Sequence, residues 1–300
     1  MKKRRIIKTI TSKQVQIKPT RIKDYRPVNT KSYNAISMGQ HTINLHATNK
    51  VVDISKTKVV IFCHFYYDDL IDEIFTHIKN MTCQINELWC SLPCTDPNKP
   101  DKKTLNKKNK ILKEFPDANI RLVLNKGKDI GGKLTCLRDY LSLNNNENDW
   151  LIFCHDKKSP HIKGHGGKLW RQVLLSSIFN LLNIQRALSS KQEIVMWGGR
   201  VREGFVKSRQ IAVHPGNYAF MEKILPLFGY NALPRTSAFI GGTMFWVKDD
   251  FYRKCFNKIE IDKVLNLLEG GDVQEPSYTH AVERIFGILV TLNNKKIGKI

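Results

Sequence analysis

Short apolar runs alternate with amphipathic segments along the first half of this 300-residue chain, and this alternation constrains its fold more than any other feature. Residues 58–64 form a continuous run rich in β-branched side chains, which indicates a buried strand, and residues 69–81 follow with apolar residues at helical spacing. The pattern repeats with strands at 85–92, 119–124 and 150–154 and helices at 104–115 and 131–143. It predicts an α/β fold, a Rossmann-like domain with a mostly parallel sheet that binds its ligand at the carboxyl ends of the strands.

The second half of the chain is less regular. Its apolar spacing predicts a long helix at 170–188, strands at 193–197 and 238–247, helices at 218–228 and 251–268, and a last helix from Pro276 through 288. No internal repeat is visible. We expect these elements to extend the same domain.

The positive charge is large and unevenly distributed. The chain carries 49 Lys and Arg against 27 Asp and Glu, a net charge of +22, which favours polyanionic partners. Residues 1–57 hold 13 of these cations and only two acids, Asp24 and Asp53, with no clear hydrophobic period. We therefore expect a basic, partly disordered N-terminal extension at 1–57 and one folded domain at 58–295. A nucleic-acid-binding protein would use this extension, and that alternative stays open here.

The seven cysteines include no Cys-x-x-Cys pair, and several lie inside apolar strand-like runs. They are typical of free, buried thiols, which indicates a reducing, cytoplasmic setting and excludes a disulfide-stapled miniprotein. We see no secretory signal and no apolar run long enough to span a membrane. We expect a protein that is soluble or peripheral to a membrane.

A Gly-rich segment at 125–133 lies between a predicted strand and a predicted helix. The spacing Gly127-x4-Gly132-Lys133 is close to that of a P-loop, but Leu134 stands where Ser or Thr would hold magnesium. A P-loop NTPase or kinase that uses Gly127–Lys133 is one interpretation, and a turn that enters a helix is the structural alternative. A plain turn does not explain why the same loop also carries Asp129, and the P-loop interpretation is weakened because the segment follows the third predicted strand and not the first.

Charged residues at 155–161 directly follow an apolar strand. Asp156 could bind Mg²⁺ or Mn²⁺ on a diphosphate, because such ions need only one or two carboxylates, and Lys157 and Lys158 could neutralise the same phosphates. A solvated turn is the structural alternative. His155, His161 and His165 could bind zinc, but they lack cysteine partners.

Two further clusters occur near the C-terminus. Gly241 and Gly242 interrupt a predicted strand, which indicates the close approach of a ligand or of another backbone, or plain packing. His280, Glu283 and Arg284 share one face of the last predicted helix. That spacing suits a general base with supporting groups, and it suits a salt-bridge pair equally well.

Taken together, these motifs resemble one family. They are His64-Phe-Tyr-Tyr-Asp-Asp-Leu70, Asn125-x-Gly127-x-Asp129-Ile130-Gly131, His155-Asp-Lys-Lys-Ser159 followed by Trp170-Arg171, Gly242-x-Met244-Phe245-Trp246, and His280-x-x-Glu283-Arg284. In this order they resemble the rhamnan synthesis protein F family of glycosyltransferases. The resemblance covers about residues 58–290 and leaves the basic extension outside it.

The resemblance implies a GT-A-like nucleotide-sugar-binding domain. It implies the transfer of a deoxysugar, rhamnose from a dTDP-rhamnose-like donor, to a hydroxyl of a surface polysaccharide or lipopolysaccharide glycan. The acceptor would be a glycan or lipid-linked, the enzyme would be peripheral on the inner, anionic face of the membrane, and no nucleic acid would be a partner.

The same resemblance assigns residue roles. Asp156 would hold a divalent metal, Mg or Mn, and Glu283 would be the catalytic base. The expected substrate-binding residues are His64, Asn125, Gly127, Asp129, His155, Lys157, Lys158, Ser159, Trp170, Arg171, His280 and Arg284.

Overall fold

The computed structural model describes residues 41–46, 52–143, 148–158, 166–190, 193–256 and 261–300. All of them belong to one compact unit, Ala35–Ile300. The expectation of disorder in the extension falls mainly on residues that lie outside these ranges. Ser159 and the alternative zinc ligands His161 and His165 also lie outside the described residues.

The described residues form ten strands and nine α-helices. The strands are β1 (Thr42–Asn44), β2 (Lys58–His64), β3 (Gln84–Cys94), β4 (Asn119–Leu124), β5 (Trp150–His155), β6 (Ile194–Gly198), β7 (Val201–Phe205), β8 (Thr236–Ile240), β9 (Phe245–Lys248) and β10 (Lys296–Lys299). The helices are α1 (Ile71–Lys79), α2 (Lys102–Glu114), α3 (Lys128–Ser142), α4 (Gly166–Phe179), α5 (Leu181–Leu188), α6 (Pro215–Ile224), α7 (Asp249–Phe256), α8 (Ile261–Leu267) and α9 (Tyr278–Leu292). Short 3-10 turns occupy Asp68–Leu70 and Leu225–Phe228.

Eight of these strands form one sheet in the order β1-β10-β6-β9-β5-β2-β3-β4. Every neighbouring pair is parallel except the two that involve β9, which runs antiparallel to both β5 and β6. Strands β7 and β8 form a separate antiparallel pair. The predicted α/β class with a mostly parallel sheet is confirmed.

Helices cover both faces of the main sheet, as the continuous apolar strands require. In β2 the side chains alternate: Val60 and Phe62 belong to one core cluster, and Val59, Ile61 and Cys63 belong to the other. The first cluster includes residues of α3, α6 and α9, and the second includes residues of α1, α4 and α5. The sheet is therefore the middle layer of three.

Two predicted elements are each divided in the structure. The predicted helix 170–188 is two helices, because the side chain of Asn180 accepts hydrogen bonds from the N–H groups of Leu182 and Asn183 and starts α5. The predicted strand 238–247 is β8 and β9, which lie in different sheets. Between them Gly242 adopts a φ of +91°, a conformation that favours glycine.

Other boundaries also differ from the predictions. Pro276 does not open the last helix, which is capped by the Ser277 side chain and begins at Tyr278. Strands β7 and β10 were not expected, because neither is an apolar run: β7 has the sequence VREGF and β10 the sequence KIGK. The boundary at residue 57 is also corrected: β1 lies within the expected extension and pairs with β10 at the edge of the main sheet.

Candidate active site

A cavity of about 340 Å³ opens at the carboxyl ends of β2, β4 and β5. Its lining is His64, Tyr66, Tyr67, Asn125, Lys128, Asp129, His155, Asp156, Lys157, Lys158, Gly271 and Asp272. Seven of the predicted site residues are in this lining: His64, Asn125, Asp129, His155, Asp156, Lys157 and Lys158. The parallel topology explains this convergence, because the ends of neighbouring parallel strands meet at one edge of the sheet.

The two histidines are neighbours because β2 and β5 pair in register, with His64 opposite His155. Nδ1 of His64 lies 2.9 Å from the Ser91 hydroxyl on β3. Burial lowers the pKa of His64 to about 4, so this ring is neutral at physiological pH. Burial also lowers the pKa of His155 well below its usual value, so both imidazoles contribute polar, uncharged groups to the cavity wall.

Gly132, on α3, leaves space for the side chain of His64 at the end of β2. A Cβ atom at position 132 would lie 2.3 Å from Nδ1 of His64 and 2.4 Å from the Ser91 hydroxyl oxygen. No side chain larger than hydrogen fits there without displacing one of these groups. The Gly131-Gly132 pair thus serves close packing of α3 against the ends of the strands.

Asp156 follows β5 directly and is almost completely buried. Its Oδ2 accepts a hydrogen bond from the Tyr67 N–H, while its Oδ1 is buried without a hydrogen-bond partner in the described part of the chain. Burial raises the pKa of Asp156 to about 7, against the backbone N–H groups of Tyr66 and Tyr67, which favour the ionised form. This carboxyl can change its protonation state at physiological pH.

The backbone around Tyr67 is held in place by a lysine on α2. Nζ of Lys107 donates to the carbonyl oxygen of Tyr66 at 3.1 Å and lies 3.7 Å from an oxygen of Asp68. Lys107 is buried, and burial lowers its pKa. Its contacts fix the loop that supplies the N–H group bound to Asp156.

A second lysine, Lys133 of α3, lies at the base of the cavity with a side chain that is 0% exposed. Its ammonium group donates to Asp129 Oδ2 at 2.9 Å, to Nδ1 of His155 at 2.9 Å and to the carbonyl oxygen of Thr243 at 2.7 Å. The hydroxyl of Thr243 also donates to Asp129 Oδ2. Burial opposes the ionisation of Asp129, but the ammonium group and this hydroxyl outweigh it and hold its pKa well below the usual range.

This arrangement excludes the P-loop interpretation. In a P-loop the lysine reaches the phosphates of the ligand, whereas Lys133 points into the protein and is bonded to Asp129, His155 and Thr243. The Gly-rich segment instead begins α3, with Gly127 at a φ of +71° and its N–H donated to the Glu269 carbonyl oxygen. Gly127 is therefore placed behind the cavity and not in its lining.

Three lysines bring positive charge to the cavity lining itself. Nζ of Lys157 lies 4.6 Å from the centre of the Trp170 ring, and Lys158 pairs with Asp69 at 2.7 Å. Lys128 pairs with Asp272 at 3.0 Å. Burial lowers the pKa of Lys157. The Lys128 and Lys158 pairs involve partly exposed partners that an anionic ligand could replace.

Trp170 and Arg171 act on the cavity through Lys157. Arg171 is buried, lies 2.9 Å from Glu73 Oε2 and donates from Nη1 to the Lys157 carbonyl oxygen at 2.9 Å. Trp170 contacts Lys157 through its ring. Neither residue is in the cavity lining, so their role as substrate-binding residues stays a prediction.

The cluster on α9 also differs from the expectation. Glu283 Oε1 accepts from the Gly242 N–H at 2.7 Å, and Oε2 pairs with Arg284 at 2.5 Å. Arg284 is buried and also pairs with Glu275 at 2.6 Å. His280 bonds through Nδ1 to the Ser277 hydroxyl at 2.6 Å. These three residues hold the C-terminal helix and the turn after β8, and none of them lines the cavity.

Sequence reasoning missed several residues that shape the site. Tyr66, Tyr67, Lys128 and Thr243 lie inside quoted motifs but were given no role, and Lys107 carried no signal. Gly271 and Asp272 reach the lining because the Gly271 N–H bonds to the Asn125 carbonyl oxygen at 3.0 Å. This is a contact between segments distant in sequence, which spacing alone does not reveal.

The side chains of the cavity lining offer few ligands for a divalent cation. No group of three ligating side chains occurs in the described ranges. Asp129 Oδ2 is taken by Lys133 and Thr243, and Asp272 pairs with Lys128, so the buried Oδ1 of Asp156, which has no hydrogen-bond partner among the described residues, is the oxygen that the expected Mg or Mn ion would use first. Lys157 and Lys158 follow Asp156 in the lining, and their positive charge opposes a bound cation there. These residues do not form a cation site by themselves.

Within the described ranges, no helix has both the length and the apolar character needed to cross a lipid bilayer. Sequence comparison with curated proteins finds no match.

Among solved structures, the chain is similar to a mannosyltransferase from Pyrobaculum calidifontis, whose structure contains GDP-mannose and Mn²⁺. The two share 15% identity at a TM-score of 0.33, over 66% of this chain and 46% of that one, so the chain spans about half the length of that enzyme. It is also similar to glucosyl-3-phosphoglycerate synthase from Mycobacterium tuberculosis, at 11% identity and a TM-score of 0.35, over 81% of this chain and 68% of that one.

A family profile described as rhamnan synthesis protein F matches residues 26–295. The match covers most of the chain and, unlike the resemblance inferred from motifs, reaches into the basic segment before residue 58. The chain therefore belongs to the rhamnan synthesis protein F family.

Proposed function

We propose that the cavity binds a nucleoside diphosphate deoxysugar, dTDP-rhamnose or a close analogue, and that the enzyme transfers the sugar to a hydroxyl of a surface polysaccharide or lipopolysaccharide glycan. One observation carries this proposal: three lysines and a carboxyl with a raised pKa line one cavity at the carboxyl edge of a parallel sheet. The family description supports the choice of rhamnose.

The lysines suit the diphosphate. Lys128, Lys157 and Lys158 are all in the lining, and Lys157 has its Nζ on an aromatic ring instead of on a carboxylate. A leaving nucleoside diphosphate gains negative charge as its bond to the sugar breaks, and fixed cations in a water-poor site stabilise that charge. Asn125 and Asp129 lie on the same wall and would contact the nucleoside or the sugar.

We place the general base at Asp156 and not at Glu283. A general base works best when its pKa lies near the operating pH, and Asp156 combines a pKa of about 7 with an unpartnered Oδ1. Both oxygens of Glu283 are engaged, by Gly242 and Arg284. Asp156 would take the proton of the acceptor hydroxyl as its oxygen attacks the anomeric carbon. The bond between that carbon and the diphosphate oxygen then breaks, and its electron pair leaves with the nucleoside diphosphate.

A divalent cation, if the reaction used one, would neutralise the diphosphate and would need the same Oδ1 of Asp156. The base and the metal ligand are therefore competing roles for one oxygen, and the lysines already supply positive charge. We propose the metal-independent arrangement. The seven free, buried cysteines support a cytoplasmic location, and the charge of +22 supports a peripheral place at an anionic membrane face, where lipid-linked acceptors would be reached.

The test is a thermal-shift screen of nucleotide sugars, each with EDTA and with added Mn²⁺, followed by detection of transfer by mass spectrometry. We expect the largest stabilisation from a dTDP-deoxysugar and little difference between EDTA and Mn²⁺. Lys157→Gln and Lys158→Gln should weaken that stabilisation, and Lys263→Gln, on α8, is the matched surface control. If stabilisation requires Mn²⁺, Asp156 is a metal ligand and the assignment of the base fails. If no nucleotide sugar binds, the substrate class is wrong.

A further inference from the structure

Helices α4 and α5 expose large apolar side chains to solvent. Leu169 is 62% exposed, Val173 52%, Leu181 46% and Leu182 60%. We call these four residues the α4–α5 apolar face. Four exposed aliphatic side chains within fourteen residues of sequence differ from the isolated exposed leucines that are normal on protein surfaces.

The apolar face follows one line along the helices. Leu169 and Val173 are one turn apart on α4, and the exposed stripe continues through Ser176 and Asn180 to the first turn of α5. The Asn183 side chain donates to the Ser176 carbonyl oxygen at 3.2 Å and holds the two helices together. The opposite side of α4 is buried in the core through Leu174, Leu175 and Ile178.

Helix α4 is thus apolar on two sides. An ordinary surface helix has one apolar stripe toward the core and a polar outer face. The core contacts of α4 are made by Leu174, Leu175 and Ile178, which are fully buried. Leu169 and Val173, on the outer side, are more than half exposed. Contact with an apolar environment outside the protein would account for Leu169 and Val173.

The charges around this face are those of a surface that meets anions. Residues 166–190 contain no Asp or Glu, and their basic residues at the surface are Lys168 and Arg186, since Arg171 is buried and paired with Glu73. Lys168 is exposed beside Leu169, and the whole chain carries +22. Leucine and tryptophan next to basic residues on a helix are typical of segments that lie in the interface of an anionic bilayer.

The position of the face ties it to the cavity. Trp170 and Arg171 directly follow Leu169, and both contact Lys157, which lines the cavity. A bilayer in contact with Leu169 would therefore lie close to the residues that we assign to the diphosphate. A lipid-linked acceptor could present its first sugars to the cavity without leaving the membrane.

We propose that the α4–α5 apolar face inserts into the interfacial region of an anionic lipid bilayer and orients the cavity toward acceptors held there. The role of the bilayer as the source of the acceptor rests on the proposed function, but the insertion itself does not. The charge argument favours a lipid surface over a second copy of the chain, since two copies with +22 each repel one another.

The first experiment is co-sedimentation of the full chain with phosphatidylglycerol and phosphatidylcholine vesicles, without any sugar donor. We compare wild type with Leu169→Gln/Val173→Gln/Leu181→Gln/Leu182→Gln, and we use Leu105→Gln/Leu143→Gln as the control, since those leucines are 41% and 55% exposed on other elements. We expect the fourfold variant to bind phosphatidylglycerol vesicles at least about tenfold more weakly, with the control unchanged.

Salt separates insertion from attraction by the basic N-terminal segment. At high ionic strength the electrostatic part of binding is screened, so the binding that remains should be lost in the fourfold variant. Equal binding of wild type and variant at every salt concentration would overturn the proposal. A wild-type dimer that becomes a monomer in the fourfold variant, by sedimentation velocity, would also overturn it and would assign the face to a second copy.

The second experiment reports insertion directly. Because all seven natural cysteines are buried, Val173→Cys can be labelled selectively with an environment-sensitive fluorophore, and Leu143→Cys is the control. We expect a blue shift with anionic vesicles at 173 and none at 143. No shift at 173 contradicts insertion. Transfer to a short soluble acceptor should be the same in wild type and the fourfold variant, so a loss there points to the catalytic site and not to the membrane face.

Discussion

The ammonium group of Lys133 donates a hydrogen bond to Nδ1 of His155 over 2.9 Å in the interior of the protein. An ammonium group has donors and no acceptor, so Nδ1 must accept and the ring hydrogen of the neutral imidazole must be on Nε2. Burial keeps the pKa of His155 well below its usual value, which maintains this neutral form. His155 thus offers a hydrogen-bond donor to the ligand cavity that it lines.

Lys133→Met should destabilise the protein strongly. It removes the partner of the Asp129 carboxylate and leaves Nδ1 of His155 without a donor, and breaking a buried ion pair costs about 3–5 kcal/mol of unfolding free energy. Urea denaturation measures the change. Lys254→Met is the matched control, because Lys254 and Asp250 form an ion pair with the same spacing on an exposed helix surface. An equal loss of stability in the two variants would show that the buried network stabilises the protein no more than an exposed ion pair does.

Asp156→Asn should abolish transfer while it preserves binding of the sugar donor. An amide cannot accept the proton of the acceptor hydroxyl, and loss of a general base slows a reaction by about a hundredfold or more. In wild type, kcat/KM should rise with pH through an apparent pKa of about 7, because only the ionised carboxyl is active. If kcat/KM does not change with pH over roughly one unit on either side of that pKa, Asp156 is not the general base.

Ionisation of Asp156 should also affect the stability of the protein, but in the opposite direction to its effect on kcat/KM. Asp156 binds its proton more tightly in the folded chain, where its pKa is about 7, than in the unfolded chain, where it is near 3.8. The free energy of unfolding should therefore fall as pH rises through that window, by about 4 kcal/mol in total. In Asp156→Asn, the free energy of unfolding should not show this part of its decrease with pH. Parallel curves for wild type and variant would show that the carboxyl titrates at its usual pKa.

Glu283→Gln should change stability more than catalysis. The amide oxygen can still accept from the Gly242 N–H, but the charge beside the buried Arg284 is lost, which costs about 1–3 kcal/mol. We expect a lower melting temperature and a transfer rate within about tenfold of wild type. Near-normal melting with transfer slowed about a hundredfold would instead make Glu283 the catalytic base.

Gly132→Ala tests the packing under His64. The new methyl group would meet Nδ1 of His64 at 2.3 Å, so the histidine or α3 must move, at a cost of about 1–3 kcal/mol. Binding of the sugar donor should weaken because His64 lines the cavity. Gly241→Ala is the control, since a Cβ atom there has its nearest neighbour at 3.8 Å. Unchanged donor binding in Gly132→Ala would show that the position of His64 does not matter for the ligand.

Local pattern alone was enough to predict the central half of the sheet and the edge at which the cavity lies. Strands β2 to β5 are continuous apolar runs, and parallel connections through helices bring His64, Asn125 and Asp156 to one edge whatever the details of packing. The motif resemblance then led to the same family that the profile comparison shows. These inferences depend on periodicity and spacing, which are properties of the linear chain.

Tertiary structure decided what each polar group does at that edge. Sequence spacing cannot show that Lys133 is buried against His155 and Thr243, that Glu283 binds the N–H of Gly242 across 41 residues, or that Asp156 is buried deeply enough to raise its pKa. Each of these depends on how much water and which distant partners surround a side chain. Desolvation and long-range hydrogen bonds are set by packing between elements, and so the roles of the candidate residues followed from the fold and not from the motifs.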